Sequence, residues 1–295
     1  MQNANEIRSH INAVAQTRKI TNAMQLVASS RMKRVLQQIG YNQKYLSRVR
    51  STMKHILQSS KDVTHQYLKS RGDKRTYIVI SGDKGMAGAY NANILSFSWK
   101  EMSKHPGSAL ISVGTMASNF FRERGIDPDI ELIGITQNPT LYSAREIAFD
   151  ILDFYDGKLT DEVYIIFTPY GVSQNSPIMY RLLPILLSDY VEKEEDAVHA
   201  EDIIYIPSSR ELFDLLVPQY LIGVVFGSLV HAYASEQFAR MNAMQSATRN
   251  ADEILKKLKM QYNLARQTAI TQEITEITGA AEVLRDGDNN YESSN

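Results

Sequence analysis

The sequence predicts an α/β fold in which long N- and C-terminal helices pair as an antiparallel coiled coil and flank a central α/β domain. Three observations carry this. The first glycine is Gly40, the first proline is Pro106, and neither type occurs between Ser228 and Thr278, so both ends read as long helices. Apolar residues at both ends recur at alternating three- and four-residue spacing, the mark of a heptad seam. In between, short β-branched and aromatic runs alternate with amphipathic stretches, the pattern of a mostly parallel sheet covered by helices.

The first helix is expected within residues 1–70. Ala4, Ile7, Ile11 and Val14, then Ala28, Met32, Val35 and Ile39, then Leu46, Val49, Met53 and Ile56 follow one seam. At Arg18, Thr21 and Gln25 the seam turns polar, and Ile20, Met24 and Val27 are expected to carry the apolar face, so the stripe rotates around the helix. The return helix is expected within 208–285. Met241, Met244, Thr248, Ala251, Leu255, Leu258, Tyr262, Ala265 and Ala269 form one seam; Ile270, Ile274, Ile277, Ala281 and Leu284 form a shifted one. A fifty-residue helix is about 75 Å long, so part of the pair must project beyond a small domain. Residues 286–295 are polar and read as a disordered tail.

The middle, 71–207, reads as Rossmann-like. "TYIVIS", "ALISV", "IELIGIT" and "EVYIIFTPY" look like buried strands, and "TMASNFFRERG" and "PTLYSAREIAFDILDFYDG" like the helices between them. "VEKEEDAVHAED" reads as an acidic, solvated connection. The first strand runs into a turn carrying Gly82, Gly85 and Gly88, the way many phosphate sites begin. However, Ala89 follows the last glycine where a P-loop needs Lys, the G-x-G-x-x-G spacing fails, and Asp83 puts a carboxylate in the turn. The other reading is a tight turn needing positive φ.

Composition narrows function mostly by exclusion. The chain has 295 residues, a formal net charge of −1 and no cysteine, which rules out disulfides, thiolate metal sites and cysteine nucleophiles. The longest apolar run, "YLIGVVFGSLVHAYA", is short for a bilayer span and reads as a buried helix segment. The basic, amphipathic start flows without a break into the longer helix rather than stopping as a transit peptide would. His10, His55, His65, His105, His199 and His231 have no metal-binding helix spacing, and no serine has a G-x-S-x-G setting. Up to Lys61 the only acid is Glu6, against many Arg and Lys, so this helix wants an acidic partner. With no aromatic in the first forty residues to stack on bases, a protein fits that role better than nucleic acid. Arg240, Arg249, Arg266, Gln267, Thr271, Glu273 and Glu276 form a polar constellation on the last helix, either contacts to a surrounding surface or solubilising charge.

"INAVAQTRKITNAMQLVASSRMKR", with its K-I-T-x-A-M pattern, "SGDKGMAGAYN", and "ASEQFARMNAMQSATRNADEILKKLKMQYNLARQTAITQEITEI" together resemble the gamma subunit of rotary F-type ATP synthases, in family order and over nearly the whole chain. The chain departs from the family at Ala280, where the second residue of a Ser-Gly or Gly-Gly pair is usual, and it lacks the cysteine insert of chloroplast forms. The resemblance implies a central-stalk rotor with no catalytic, cofactor or metal site of its own. Its implied partners are the alpha and beta subunits, the epsilon subunit and the membrane c-ring, and its implied place is peripheral on the cytoplasmic face of a bacterial inner membrane. It implies that Met24, Arg240, Arg266, Gln267, Thr271 and Glu276 contact the beta-subunit stator, and that Tyr41, Lys44 and Tyr205 lie at the foot near the ring or epsilon. It leaves open whether protons or sodium ions drive the motor. A nucleotide-using α/β enzyme with a coiled-coil arm is the alternative reading.

Overall fold

The structure, a computed structural model, describes residues 4–59, 65–69, 71–171, 176–185 and 209–292. The chain divides into two compact units, residues 1–25 with 244–295, and Leu26–Ala243. The second takes in parts of both long helices, which the expected boundaries at 70 and 208 assign to the coiled coil.

The second unit is built on a five-stranded sheet: β1 (Arg75–Ile80), β2 (Ala109–Val113), β3 (Ile130–Leu132), β4 (Glu162–Phe167) and β5 (Ile178–Leu183), in the order β3-β2-β1-β4-β5. The first four are parallel and β5 is antiparallel to β4. Successive strand side chains point to opposite faces, so the unbroken apolar run of β1 feeds two cores. Ile78 and Ile80 face α4 (Leu141–Asp156), the end of α1 (Ala4–Ser59) and the start of α5 (Ser209–Glu292), among Met53, Ile56, Ile151, Phe213 and Leu221. Tyr77 and Val79 face α2 (Tyr90–Met102) and α3 (Thr115–Arg122), among Ile94, Leu95, Ala117 and Phe121.

Two strands differ from expectation. "IELIGIT" keeps strand geometry only over Ile130–Leu132, because Gly134, at φ 82°, turns the chain into a 3-10 helix at Ile135–Gln137. β5 is absent from the sequence reading. Only Leu182 and Leu183 in it are fully buried, and Arg181 interrupts the apolar run on its way toward Glu162. The acidic connection at 191–202 lies outside the described residues.

By length and composition α5 passes for a membrane span, contrary to the reading of its apolar run as too short. Its Leu221, Val225, Leu229 and Val230 are fully buried in the second unit, so this stretch is a core helix.

In the first unit α1 and α5 run antiparallel. Arg18 Nε lies 2.5 Å from Asp252 Oδ1, and Thr21 Oγ1 lies 2.8 Å from Thr248 Oγ1. These pairs overturn the expected rotation of the stripe. Thr21 and Gln25 stay partly buried on the seam, while Ile20 and Val27 are exposed. At Arg18 and Thr21 the seam passes through polar residues that have partners: Arg18 an acid, and Thr21 and Thr248 each other and their own helices' carbonyls. On α5 the first seam is at least partly buried as far as Ala265, but Ala269 is exposed. Among the described residues the shifted seam is exposed: Ile270, Ile274 and Ile277 are 46%, 58% and 70% exposed. The side chain of Leu284 lies outside those described. The helix continues to Glu292, through most of the segment expected to be disordered.

Candidate functional site

The glycine-rich turn sits where β1 ends. Positive φ falls on Met86 (61°) and Gly88 (56°), so the tight-turn reading holds for Gly88 but not for Gly82 or Gly85. Gly82 is in a crowded place instead. A Cβ there would lie 3.0 Å from Asn91 Oδ1 and 3.2 Å from the Glu236 carboxyl. The Gly82 N–H donates to Asn91 Oδ1 at 2.9 Å, fixing the start of the turn to the first turn of α2.

The Asp83 carboxylate is held by donors from two neighbouring loops. Its Oδ1 accepts from the Thr115 N–H at 3.1 Å, the Thr115 hydroxyl at 3.3 Å and the Gly134 N–H at 3.1 Å; its Oδ2 accepts from the Thr136 hydroxyl at 2.6 Å. Burial pushes this carboxyl's pKa upward, but the hydrogen bonds from Thr136, Gly134 and Thr115 outweigh it, and the net shift is downward. Neutral donors thus satisfy the carboxylate that the sequence places in the turn.

The turn is gripped from α5. Arg240 Nη2 donates to the Gly85 carbonyl at 3.1 Å, to that of Lys84 at 3.4 Å, and to Glu236 Oε1 at 2.6 Å. Burial pushes the Glu236 pKa up and Arg240 only partly offsets this. Tyr90, fully enclosed beside this pair, has its phenol pushed well up by the same burial, with Glu236 adding to it. Arg240, one of the expected stator contacts, is mostly buried, and its Nη2 contacts lie within the chain.

A second junction joins α1 to α5 in the same unit. Asn42 occupies a seam position and is buried, its Nδ2 donating to the Gly223 carbonyl at 3.1 Å. A Cβ on Gly227 would lie 2.4 Å from Asn42 Nδ2, and one on Gly223 would lie 2.7 Å from Leu46 Cδ2. The two glycines cut a recess one helical turn long into α5, and α1 sits in it. Next to it, the Tyr45 hydroxyl donates to Gln219 Oε1 at 3.2 Å. Tyr41 and Lys44 point to solvent, and Tyr205 lies outside the described residues.

The third feature belongs to the first unit. Every side chain at 266–281 is exposed, including Arg266, Gln267, Thr271, Glu273 and Glu276. Thr268, Thr271, Thr275 and Thr278 each donate their hydroxyl to the carbonyl four residues earlier, at 2.7–3.0 Å. Their polarity is thus satisfied within the helix, leaving methyl groups beside Ile270, Ile274 and Ile277. Gln272 Nε2 donates to Glu276 Oε1 at 3.2 Å. Met24 is partly buried. Of the expected stator contacts, the structure brings Arg266, Gln267, Thr271 and Glu276 onto one exposed helical stretch and puts Arg240 elsewhere.

Residues 3–284 match the family model described as ATP synthase. An ATP synthase gamma chain from Ruminiclostridium cellulolyticum is 40% identical over 290 residues, covering 96% of this chain and 99% of the relative. The chain belongs to the ATP synthase gamma-chain family. A gamma chain from Acetivibrio thermocellus is 39% identical, covering 97% of this chain and 100% of the relative. The fold is similar to that of a chain in the mitochondrial ATP synthase of Euglena gracilis, with a TM-score of 0.66 at 17% identity, covering 97% of this chain and 95% of that one. Within this gamma-family chain, sequence reasoning missed the junction at Asn42 and the anchoring role of Asp83. The first had a signal, a G-x-x-x-G spacing at Gly223 and Gly227 and an Asn on a heptad seam. The second had none, since its donors come from two distant loops.

Proposed function

We propose that this gamma-family chain is the rotor of an F-type ATP synthase, coupling ion flow through a membrane ring to ATP synthesis in an alpha/beta hexamer by turning, with no chemistry of its own. The observation that carries the reading is the exposed stretch at 266–281. An apolar stripe of three isoleucines, flanked by threonines whose hydroxyls are already satisfied, suits a surface surrounded by other subunits that must slide past it. Arg266 and Gln267 on that stretch form a breakable latch to a beta-subunit loop, with Thr271 and Glu276 beside it. Arginine makes several directional hydrogen bonds and glutamine both donates and accepts, so the latch is specific yet reversible. Met24 contacts an acidic lever of the beta subunit.

In this reading the α/β unit faces the c-ring and the epsilon subunit, with Tyr41, Lys44 and Tyr205 at the foot, and the complex sits on the cytoplasmic face of a bacterial inner membrane. Each beta subunit meets a different face of the turning chain, and rotation becomes a sequence of changes in nucleotide affinity, a coupling free energy between distant sites. The turn at Gly82 to Gly88 supports the same reading, because it carries the Asp83 carboxylate, which repels a phosphate and is held by the Thr115 and Gly134 N–H groups of two neighbouring loops. Two measurements test the proposal. Equilibrium dialysis of ATP against the isolated chain is expected to find no binding, and a detergent-free membrane wash is expected to release the chain together with alpha and beta subunits. Stoichiometric ATP binding by the chain alone, or its release without those subunits, favours the nucleotide-using enzyme.

A further inference from the structure

We infer that the donors around Asp83 form an oxyanion site whose ligand is the chain's own carboxylate, and that a free small carboxylate occupies it when that side chain is removed. This inference stands apart from the rotor reading. The geometry is that of a receptor built separately from its ligand. Two backbone N–H groups and two hydroxyls converge on one carboxylate, and all four belong to Thr115, Gly134 and Thr136, in loops after β2 and β3. Backbone constraints elsewhere hold those loops in place. Gly114, at φ 98°, allows no side chain, since a Cβ would lie 2.6 Å from the Ser81 carbonyl oxygen, and its N–H donates to the Leu132 carbonyl at 2.9 Å. Ser81 Oγ accepts from the Ala117 N–H at 2.9 Å, holding the start of α3 independently of Asp83. Gly134 takes φ 82°, and Thr136 is buried. The donors are therefore aimed before the carboxylate arrives, as in an oxyanion hole.

The chemistry selects the ligand class. Three donors meet one oxygen and one donor meets the other, which matches a planar carboxylate. Glu236 is close enough for the Asp83 charge to disfavour its ionisation, so a second negative charge in the site is penalised and formate fits better than phosphate. Filling the site ties the ends of β1, β2 and β3 together and sets the turn whose carbonyls Arg240 holds.

The test uses the full chain with Asp83→Ala. Amide hydrogen exchange at Thr115 and Gly134 is expected to accelerate roughly tenfold or more, because both N–H groups lose their acceptor. Sodium formate is expected to restore most of that protection and to raise the melting temperature. Sodium chloride at the same ionic strength is expected to do neither, and phosphate less than formate. Asp83→Asn is the second variant. Its carbonyl oxygen keeps the acceptor where three donors converge, and its amide can donate to the Thr136 hydroxyl, so protection is expected to stay within about threefold of the parent chain without formate. Unchanged exchange in Asp83→Ala, equal rescue by chloride, or an Asp83→Ala chain that stays unfolded in formate while Asp83→Asn folds each overturns the inference; rescue by phosphate alone means an adventitious ion only and overturns it as well.

Discussion

Asp83 and Glu236 share a neighbourhood that drives their pKa values in opposite directions, and the sign of each contribution to stability follows. Asp83 is held below its ordinary value of 3.8, so its stabilisation is complete above that value and is lost as the pH falls through the depressed folded pKa. Glu236 is held above its ordinary 4.5, so the folded state is favoured while it is protonated and that contribution is lost as the pH rises through the raised folded pKa. Chemical denaturation between pH 2 and 7 is expected to show a shallower acid limb for Asp83→Asn and less decline above pH 4.5 for Glu236→Gln; superimposable curves contradict both assignments. Two glycines provide a second contrast. Gly40 has open space where a Cβ would stand, so Gly40→Ala is expected to stabilise by about 0.5–1 kcal/mol through helix propensity alone. Gly227→Ala gains the same propensity but drives a Cβ to 2.4 Å from Asn42, and overpacking of that kind is expected to leave a net loss of about 1–2 kcal/mol. Urea melts of the two variants decide it, and equal shifts contradict the recess.

At the scale of the helix the seam was readable in apolar residues and misread in polar ones. Ile7, Ala28, Val35, Ile39, Val49, Met53 and Ile56 are buried as their spacing predicts. The expected rotation at Arg18, Thr21 and Gln25 treats polar seam residues as incapable of facing a partner, whereas Asp252 completes Arg18 and Thr248 completes Thr21. A single sequence gives no pairing across 234 residues, so that partner was not visible from one helix. The same pair is half-exposed and screened, and deleting both charges with Arg18→Ala and Asp252→Ala is expected to cost under about 1 kcal/mol. A larger loss in a double-mutant cycle contradicts this weighting. On the exposed stretch of α5, Arg266→Ala with Gln267→Ala is expected to lower steady-state turnover or assembly of the complex while the melting of the α/β unit is unchanged. If Met24 meets an acidic lever as proposed, Met24→Lys is expected to lower ions pumped per ATP, since the added cation resists release; normal pumping per ATP sinks that contact.

At the scale of the whole chain, the parallel α/β core and the two long helices were legible because hydrophobic period and the placement of glycine and proline report them directly. β5 was not, because its inward residues gather at one end and Arg181 breaks the run. The family resemblance is legible in the ordered motifs, and it says nothing by itself about motion. The central claim is that this chain turns inside its complex. The direct measurement attaches a bead or gold particle to the α/β unit of the chain, in a complex immobilised through its beta subunits, and records orientation during ATP hydrolysis. Unidirectional rotation in three steps per turn is expected, with dwell times that lengthen as ATP is lowered. ATP hydrolysis at a normal rate with the particle fixed or only rocking contradicts it.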